Sequence, residues 1–269
     1  MDNHDYDMYG ITAIPFVNAP QKLYANEHRE AIKKKLNNFI NFRGFCVLSG
    51  EPGIGKSAIL RELTSNFHPK AFNTIYIPFA MFAETDILCA ISHQLGLEKA
   101  MMKSHMIERI QERIKELQPI NIVIIIDEIQ KIKHETLELI RTLSNFDFDD
   151  KNYLSIIFSG THDFLNLLKF KNNEHLKQRI SCFLELQKLN RIDTTEYIQH
   201  HLKNVGVNHE LFTAESINLI YDISDGIPRI INNFAKYAFA EAAINKSKVV
   251  DLEHVQLAID NISIKNKER

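Results

Sequence analysis

The chain has 269 residues, 45% of them hydrophobic and 25% charged, with a formal net charge of −2. That is enough apolar material for one large domain with a small satellite, and too little net charge for a global attraction to nucleic acid. The longest aliphatic run, Ile122-Val123-Ile124-Ile125-Ile126, is too short to span a bilayer, and the start Met1-Asp2-Asn3-His4-Asp5 is acidic where an export signal is basic.

Cys46, Cys89 and Cys182 are odd in number, far apart and set in apolar surroundings without metal-ligand spacing. They read as reduced core residues of a cytoplasmic protein.

Behind a polar lead, helical spacing appears over 28–41, then a β-rich run over 45–49, a helix over 56–66 and a strand over 74–78. Helices follow over 85–95 and 104–117, the latter with Ile107, Ile110 and Ile114 on one face. A strand over 121–126, a helix over 134–144 and strands over 154–159 and 182–186 complete the alternation. Such alternation predicts an α/β fold, a parallel sheet covered by helices. Past residue 190 the strand signals stop, and helices are expected over 193–204, 213–224, 228–244 and 251–261. Thr213 and Pro228 read as helix starts. The expected division is therefore an α/β domain over 1–190 and a helical domain over 191–269, with the tail Lys265-Asn266-Lys267-Glu268-Arg269 disordered.

The most specific motif follows the first strand. Gly50-Glu51-Pro52-Gly53-Ile54-Gly55-Lys56-Ser57 is a complete G-x-x-x-x-G-K-[ST] loop, and Ala58 continues it into a helix. Glycine-rich backbone and a helix N-terminus surround phosphates with N–H groups, Lys56 reaches the outer phosphates, and the Ser57 hydroxyl ligates Mg²⁺. With 9 glycines in the chain, a chance match is improbable. The [NT]-K-x-D motif that reads guanine is absent, which favours ATP.

The apolar run 122–126 ends in Asp127-Glu128, at the edge where open α/β sheets assemble ligand sites. Alternation gives the two carboxylates different tasks: Asp127 holds a water of the Mg²⁺ shell, and Glu128 orients and deprotonates the water attacking the γ-phosphate. The next strand ends at Ser159-Gly160-Thr161, where Thr161 reads either as a γ-phosphate sensor or as a turn and cap residue. Arg179 fits a surface ion pair or a finger reaching a neighbouring subunit's nucleotide. Arg229, in Gly226-Ile227-Pro228-Arg229, fits a solvated first-turn residue or a phosphate contact on the lid. Lys33-Lys34-Lys35 reads as a wet helix face, whereas Lys131 and Lys133 fit a solvated loop or a DNA contact equally well. His200 and His201 lack a second ligand pair and read as structural or exposed.

In this order, these residues resemble the AAA+ ATPases of the general-secretion-pathway A type, and more closely the branch that accompanies DDE transposases in insertion sequences and Mu-like transposons. The likeness runs from about residue 9 to 261: Tyr9-Gly10-Ile11 with Pro15-Phe16, Leu23-Tyr24, His28-Arg29-Glu30-Ala31, the phosphate loop, Asp127-Glu128 and Leu143-Ser144-Asn145-Phe146-Asp147. Leu176-Lys177-Gln178-Arg179-Ile180 and Gly226-Ile227-Pro228-Arg229-Ile230-Ile231-Asn232-Asn233 are its more specific stretches. Gly160-Thr161-His162-Asp163 stands where many relatives have glycine-glutamine-proline-glutamate.

The resemblance implies a P-loop AAA+ core, a five-stranded parallel sheet between helices, with a small all-helical C-terminal lid. It implies an ATPase using ATP and Mg²⁺, with His28 and Arg29 near the adenine, Arg179 as an arginine finger and Arg229 on the sensor-2 helix. As partners it implies double-stranded DNA, a DDE transposase and further copies of the chain in a ring or filament, with no membrane contact. The implied role is regulation of DNA transposition. The alternatives are a protein-directed ATPase assembling a secretion or envelope machine, and a nucleotide-dependent scaffold with negligible turnover. The secretion branch normally carries a membrane segment and a cell-wall-binding region after the ATPase core, and the chain's end at the lid is expected to favour transposition.

Overall fold

The computed structural model describes residues 8–17, 22–78, 83–146 and 152–267, with side chains to residue 262. The acidic lead Met1–Asp5, Asp147 and the last two residues, Glu268 and Arg269, lie outside the described residues. By their contacts the described residues form two compact units: Glu27–Pro52 with Lys56–Leu186, and the residues up to Asn26 with Gly53–Gly55 and Gln187 onward.

The larger unit holds one parallel five-stranded sheet built from β1 (Gly44–Ser49), β2 (Phe72–Ile77), β3 (Asn121–Ile126), β4 (Leu154–Gly160) and β5 (Ile180–Glu185). Their spatial order is β2-β3-β4-β1-β5. The three inner strands are buried along their whole length, whereas β2 and β5 alternate in exposure as edge strands do. β4 lies between the strand that leads to the phosphate loop and the strand that ends at Asp127. Leu48 pairs with Ser159 and Ile126 with Phe158, so all three strands deliver their ends to one edge.

The helices of this unit are α1 (Glu27–Phe42), α2 (Lys56–Ser65), α3 (Glu84–Gln94), α4 (Lys103–Glu116) and α5 (His134–Leu143), with the short α6 (Asp163–Leu167) and α7 (Glu174–Arg179). α2 buries Lys56, Ile59, Leu60 and Leu63, the one-face spacing of an amphipathic helix. α4 buries Ile110 and Ile114 completely, while Ile107 packs at the margin of the same core. Each full burial of this kind stabilises by about 1.5–3 kcal/mol. α6 and α7 are too short to show a helical period, and sequence reasoning placed no helix there. Lys33 in α1 meets Glu30 and Glu62, as a helix surface does.

The second unit contains α8 (Arg191–Lys203), α9 (Ala214–Ser224), α10 (Pro228–Ile244) and α11 (Leu252–Lys267). Asn190 caps α8, accepting from Asp193 N at 2.8 Å, and Thr213 caps α9, accepting from Ser216 N at 3.2 Å. Pro228 stands at the start of α10 as expected. The α9–α10 turn passes through Gly226 at φ +69°, where an added Cβ would lie 1.9 Å from Leu189 O. α11 carries the backbone on to Lys267, which corrects the expected disorder from Lys265.

The sequence reading sets the domain boundary after residue 190. The units divide after Leu186, and the lead belongs with the helices. Tyr9 donates to Ser247 O at 2.6 Å, and Tyr24 donates to Glu196 Oε2 at 2.8 Å and Asp193 Oδ1 at 3.2 Å. The Phe16 ring stacks on His201 at 5.5 Å and meets Phe212 edge-on at 5.8 Å. Burial and the acidic neighbours raise the Tyr24 phenol far above its ordinary pKa, so it stays a donor.

Among the described residues no helix is long and apolar enough to cross a membrane. The three cysteines are free thiols.

Candidate nucleotide site

The phosphate loop links the end of β1 to the start of α2, with Gly53 at φ +80° and Gly55 at φ +108°. Lys56 opens α2, is buried, and donates from Nζ to Gly50 O at 2.8 Å and Glu51 O at 3.1 Å. The ammonium therefore lies within the curve of the loop, where its charge is available to phosphate oxygens. Ile54 is fully buried, while Pro52 is exposed, and Glu51, Ser57 and Ala58 are half-buried.

Ser57 and Asp127, 70 residues apart, meet directly: Ser57 Oγ donates to Asp127 Oδ2 at 2.7 Å. A hydroxyl that gives its proton to a carboxylate presents its lone pairs outward. This pair of hard oxygen donors fits Mg²⁺, which takes one or two protein oxygens and fills its remaining positions with water and phosphate. No cluster of three or more His, Cys, Asp and Glu able to hold a metal occurs among the described residues.

Asp127 is 4% exposed and accepts four hydrogen bonds. Oδ2 takes Ser57 and the Tyr76 hydroxyl, the latter at 2.9 Å, and Oδ1 takes Ser159 Oγ at 2.7 Å and Glu128 N at 3.0 Å. Burial, then the Asp127 charge, pushes the Tyr76 phenol up to about 12. Sequence reasoning missed both Tyr76 and Ser159. Tyr76 pairs in register with Ile125, so it shares a sheet face with Asp127 two residues on, a relation that appears only once register is known.

Glu128 adopts φ +53°, ψ +37°, a left-handed conformation that costs a non-glycine residue about 1–3 kcal/mol. Its Oε2 accepts from Gln130 Nε2 at 2.6 Å, and Gln130 Oε1 accepts from Thr161 N at 3.1 Å. Gln130, on a single 3₁₀ turn over Ile129–Lys131, is a third residue that the sequence did not reveal.

Thr161 takes part through its backbone. Its hydroxyl donates to Asp163 Oδ2 at 3.0 Å in the manner of a turn residue, and the strand-tip hydroxyl that reaches the carboxylate is Ser159. Arg179 ends α7 and donates from Nη1 to Ser144 Oγ at 2.9 Å and Arg141 O at 3.3 Å. Burial, then the charge of Arg141, lowers its pKa. His28 meets Glu185 O at 3.0 Å at the end of β5, and the neighbouring Arg29 is buried. Lys131 and Lys133 are exposed.

Within the helical unit, Arg229 is exposed in the first turn of α10, and its backbone N donates to Gly53 O at 3.2 Å. A Cβ on Gly53 would lie 2.8 Å from Arg229 Cβ, so that position accepts only glycine.

Comparison with known proteins agrees with this architecture. The AAA domain family matches residues 41–168, the stretch that carries the phosphate loop, both carboxylates and the tip of β4. The fold is a P-loop AAA-like one, a parallel sheet carrying a phosphate loop with a helical C-terminal region.

The chain is 26% identical over 268 residues to General secretion pathway protein A of Aeromonas hydrophila, covering 95% of this chain and 48% of that protein. It thus spans about half the length of this curated relative. Among solved structures it is similar to the ORC2 protein of Aeropyrum pernix in ADPNP-ADP complexes, with TM-score 0.69 and 17% identity, covering 91% of this chain and 70% of that one. The ORC1 protein of the same organism in complex with DNA matches with TM-score 0.67 and 17% identity, covering 96% and 69%.

Proposed function

We propose that the chain is an ATP-dependent DNA-binding regulator of DNA transposition, which assembles on duplex DNA with ATP, recruits or activates a DDE transposase, and resets by hydrolysis. The observation that carries the nucleotide-dependent part is the 2.7 Å contact between Ser57 and Asp127 at the start of α2. Support for the DNA link comes from the fold likeness to an ORC1 protein in complex with DNA, and from the resemblance of residues 143–147 to the transposon branch.

In this reading Lys56 and the loop amides bind the phosphates, and Ser57 and Asp127 hold Mg²⁺, which when bound neutralises charge on the phosphate oxygens. Glu128 takes a proton from the attacking water, and Gln130 sets its orientation. His28 and Arg29 lie on the adenine side, and Thr161 contributes its backbone at the tip of β4. Arg229 is the arginine of the sensor-2 helix, in the first turn of α10.

Arg179 is held by Ser144 and Arg141 O within its own chain. Reaching a neighbouring subunit's nucleotide requires exchanging these two bonds, which makes assembly depend on ATP binding the assembled state better. With a net charge of −2, DNA contact falls to local groups, and Lys131 and Lys133 just beyond Glu128 are the choice here. The free thiols fit a cytoplasmic location.

A second reading, assembly of a secretion machine through protein contacts, is favoured by the 26% identity across 95% of the chain. Sedimentation with duplex DNA at low and moderate salt separates the two, using no nucleotide, ADP, or a slowly hydrolysed ATP analogue. Co-sedimentation only with the analogue, weakening with salt, is the expected result. Assembly without DNA supports the secretion reading, and neither assembly nor DNA binding overturns both.

A further inference from the structure

The Asp127 carboxylate has about four lone-pair positions, and four protein donors fill them. The donors differ in how readily they can leave. Glu128 N is backbone, the Ser159 side chain is fully buried on an inner strand, and Ser57 stands at the phosphate loop. Tyr76 is on the edge strand β2 and is 43% exposed. Its ring can turn toward solvent without opening the core, and its hydroxyl regains a partner in water.

Burying a carboxylate with an open lone pair is costly, so a free Asp127 needs a fourth partner. A carboxylate that also receives a water of the Mg²⁺ shell needs that same position back. We propose that Tyr76 is a displaceable placeholder: its hydroxyl occupies the outer lone pair of Asp127 and yields it to the cation's water when Mg²⁺·nucleotide binds. Tyr76 acts only through Asp127, and the inference rests on the assignment of Ser57 and Asp127 as the Mg²⁺ residues. Its consequence is that Tyr76 sets the Mg²⁺ requirement of the site by competing for the carboxylate.

The test is the Mg²⁺ dependence of binding of a fluorescent ADP analogue to the full chain and to Tyr76→Phe, with an EDTA titration beside it. The proposal expects Tyr76→Phe to lower the Mg²⁺ concentration at half-saturation by about tenfold, the equivalent of one charge-assisted hydrogen bond net of its replacement, and to leave affinity in EDTA unchanged. An unchanged or increased Mg²⁺ requirement overturns the placeholder. Ser57→Ala and Asp127→Asn test the underlying assignment. If they keep a wild-type Mg²⁺ dependence, the metal residues are misassigned and the proposal falls with them; if they lose it while Tyr76→Phe matches wild type, only the placeholder fails.

A measurement on the unmodified chain guards against a folding defect in the variant. The chain has no Trp and 8 Tyr, so tyrosine emission is legible, and a phenol bonded to a carboxylate is quenched. Emission rising on Mg²⁺·ADP but not on ADP in EDTA is the expected result. No difference between the two additions overturns displacement.

Discussion

The Gln130 side-chain amide donates to Glu128 Oε2 over 2.6 Å, while its oxygen takes the Thr161 backbone N–H at 3.1 Å. One side chain thus connects the proposed catalytic base, already in a left-handed backbone, to the tip of the neighbouring strand. Gln130→Ala leaves the rotamer of Glu128 unset while the phosphate loop is untouched. Steady-state kinetics should show kcat reduced about tenfold with nucleotide affinity unchanged, the signature of an interaction made in the transition state. Equal loss of affinity would place Gln130 in ground-state binding.

Ser159 and Thr161 offer a direct contrast. Ser159→Ala removes a buried hydrogen bond to Asp127 Oδ1, and hydrogen bonds to charged groups contribute about 1.5–3 kcal/mol. ATP turnover should fall at least about tenfold, with thermal unfolding showing a smaller loss. Thr161→Ala removes a hydroxyl bonded to Asp163 and keeps the backbone N–H, so turnover should stay near wild type. The reverse order would restore the side-chain sensing role expected for Thr161.

Gly226→Ala should be among the most destabilising single changes in the helical unit. The new Cβ would lie 1.9 Å from Leu189 O at a backbone φ of +69°, and Leu189 N already donates to Gly226 O at 3.0 Å. Overpacking with backbone strain costs about 2–4 kcal/mol. Urea unfolding followed by circular dichroism measures it, and a loss below about 0.5 kcal/mol would mean that the turn relaxes freely.

His201 makes stability depend on pH. Burial, then the neighbouring His200, lowers its pKa from 6.5 to about 4, and the ring is packed against Phe16 and Tyr197. The folded chain keeps the ring neutral, whereas the unfolded chain takes a proton as pH falls through 6.5. Stability from this residue is therefore full above pH 6.5, is lost between 6.5 and about 4, and levels off below. The loss is at most about 3 kcal/mol. Comparing wild type with His201→Phe at pH 5 and pH 7 isolates it, since the variant should lack this component.

The parts of the site that are contiguous in the chain were legible in the sequence. The phosphate loop announces itself by spacing, and the buried run of β3 by its aliphatic residues ending at Asp127-Glu128. The parts built by pairing were not. Tyr76 reaches Asp127 across 51 residues and Ser159 across 32, and these contacts depend on β2 and β4 flanking β3 on either side. The sequence division at residue 190 leaves the lead with the α/β domain, yet Tyr9, Phe16 and Tyr24 pack into the helical core. Nothing local marks a contact spanning 238 residues, as Tyr9 makes to Ser247.

In the proposed function, nucleotide state controls assembly on DNA. Glu128→Gln should bind ATP, fail to hydrolyse it and remain in the ATP state, while Lys56→Ala should not bind nucleotide. Fluorescence anisotropy of a labelled duplex, followed over time after adding Mg²⁺ and ATP, tests the claim most directly. Wild type should give a decaying signal, Glu128→Gln a persistent one and Lys56→Ala none. The same anisotropy for all three proteins, with and without ATP, would contradict it.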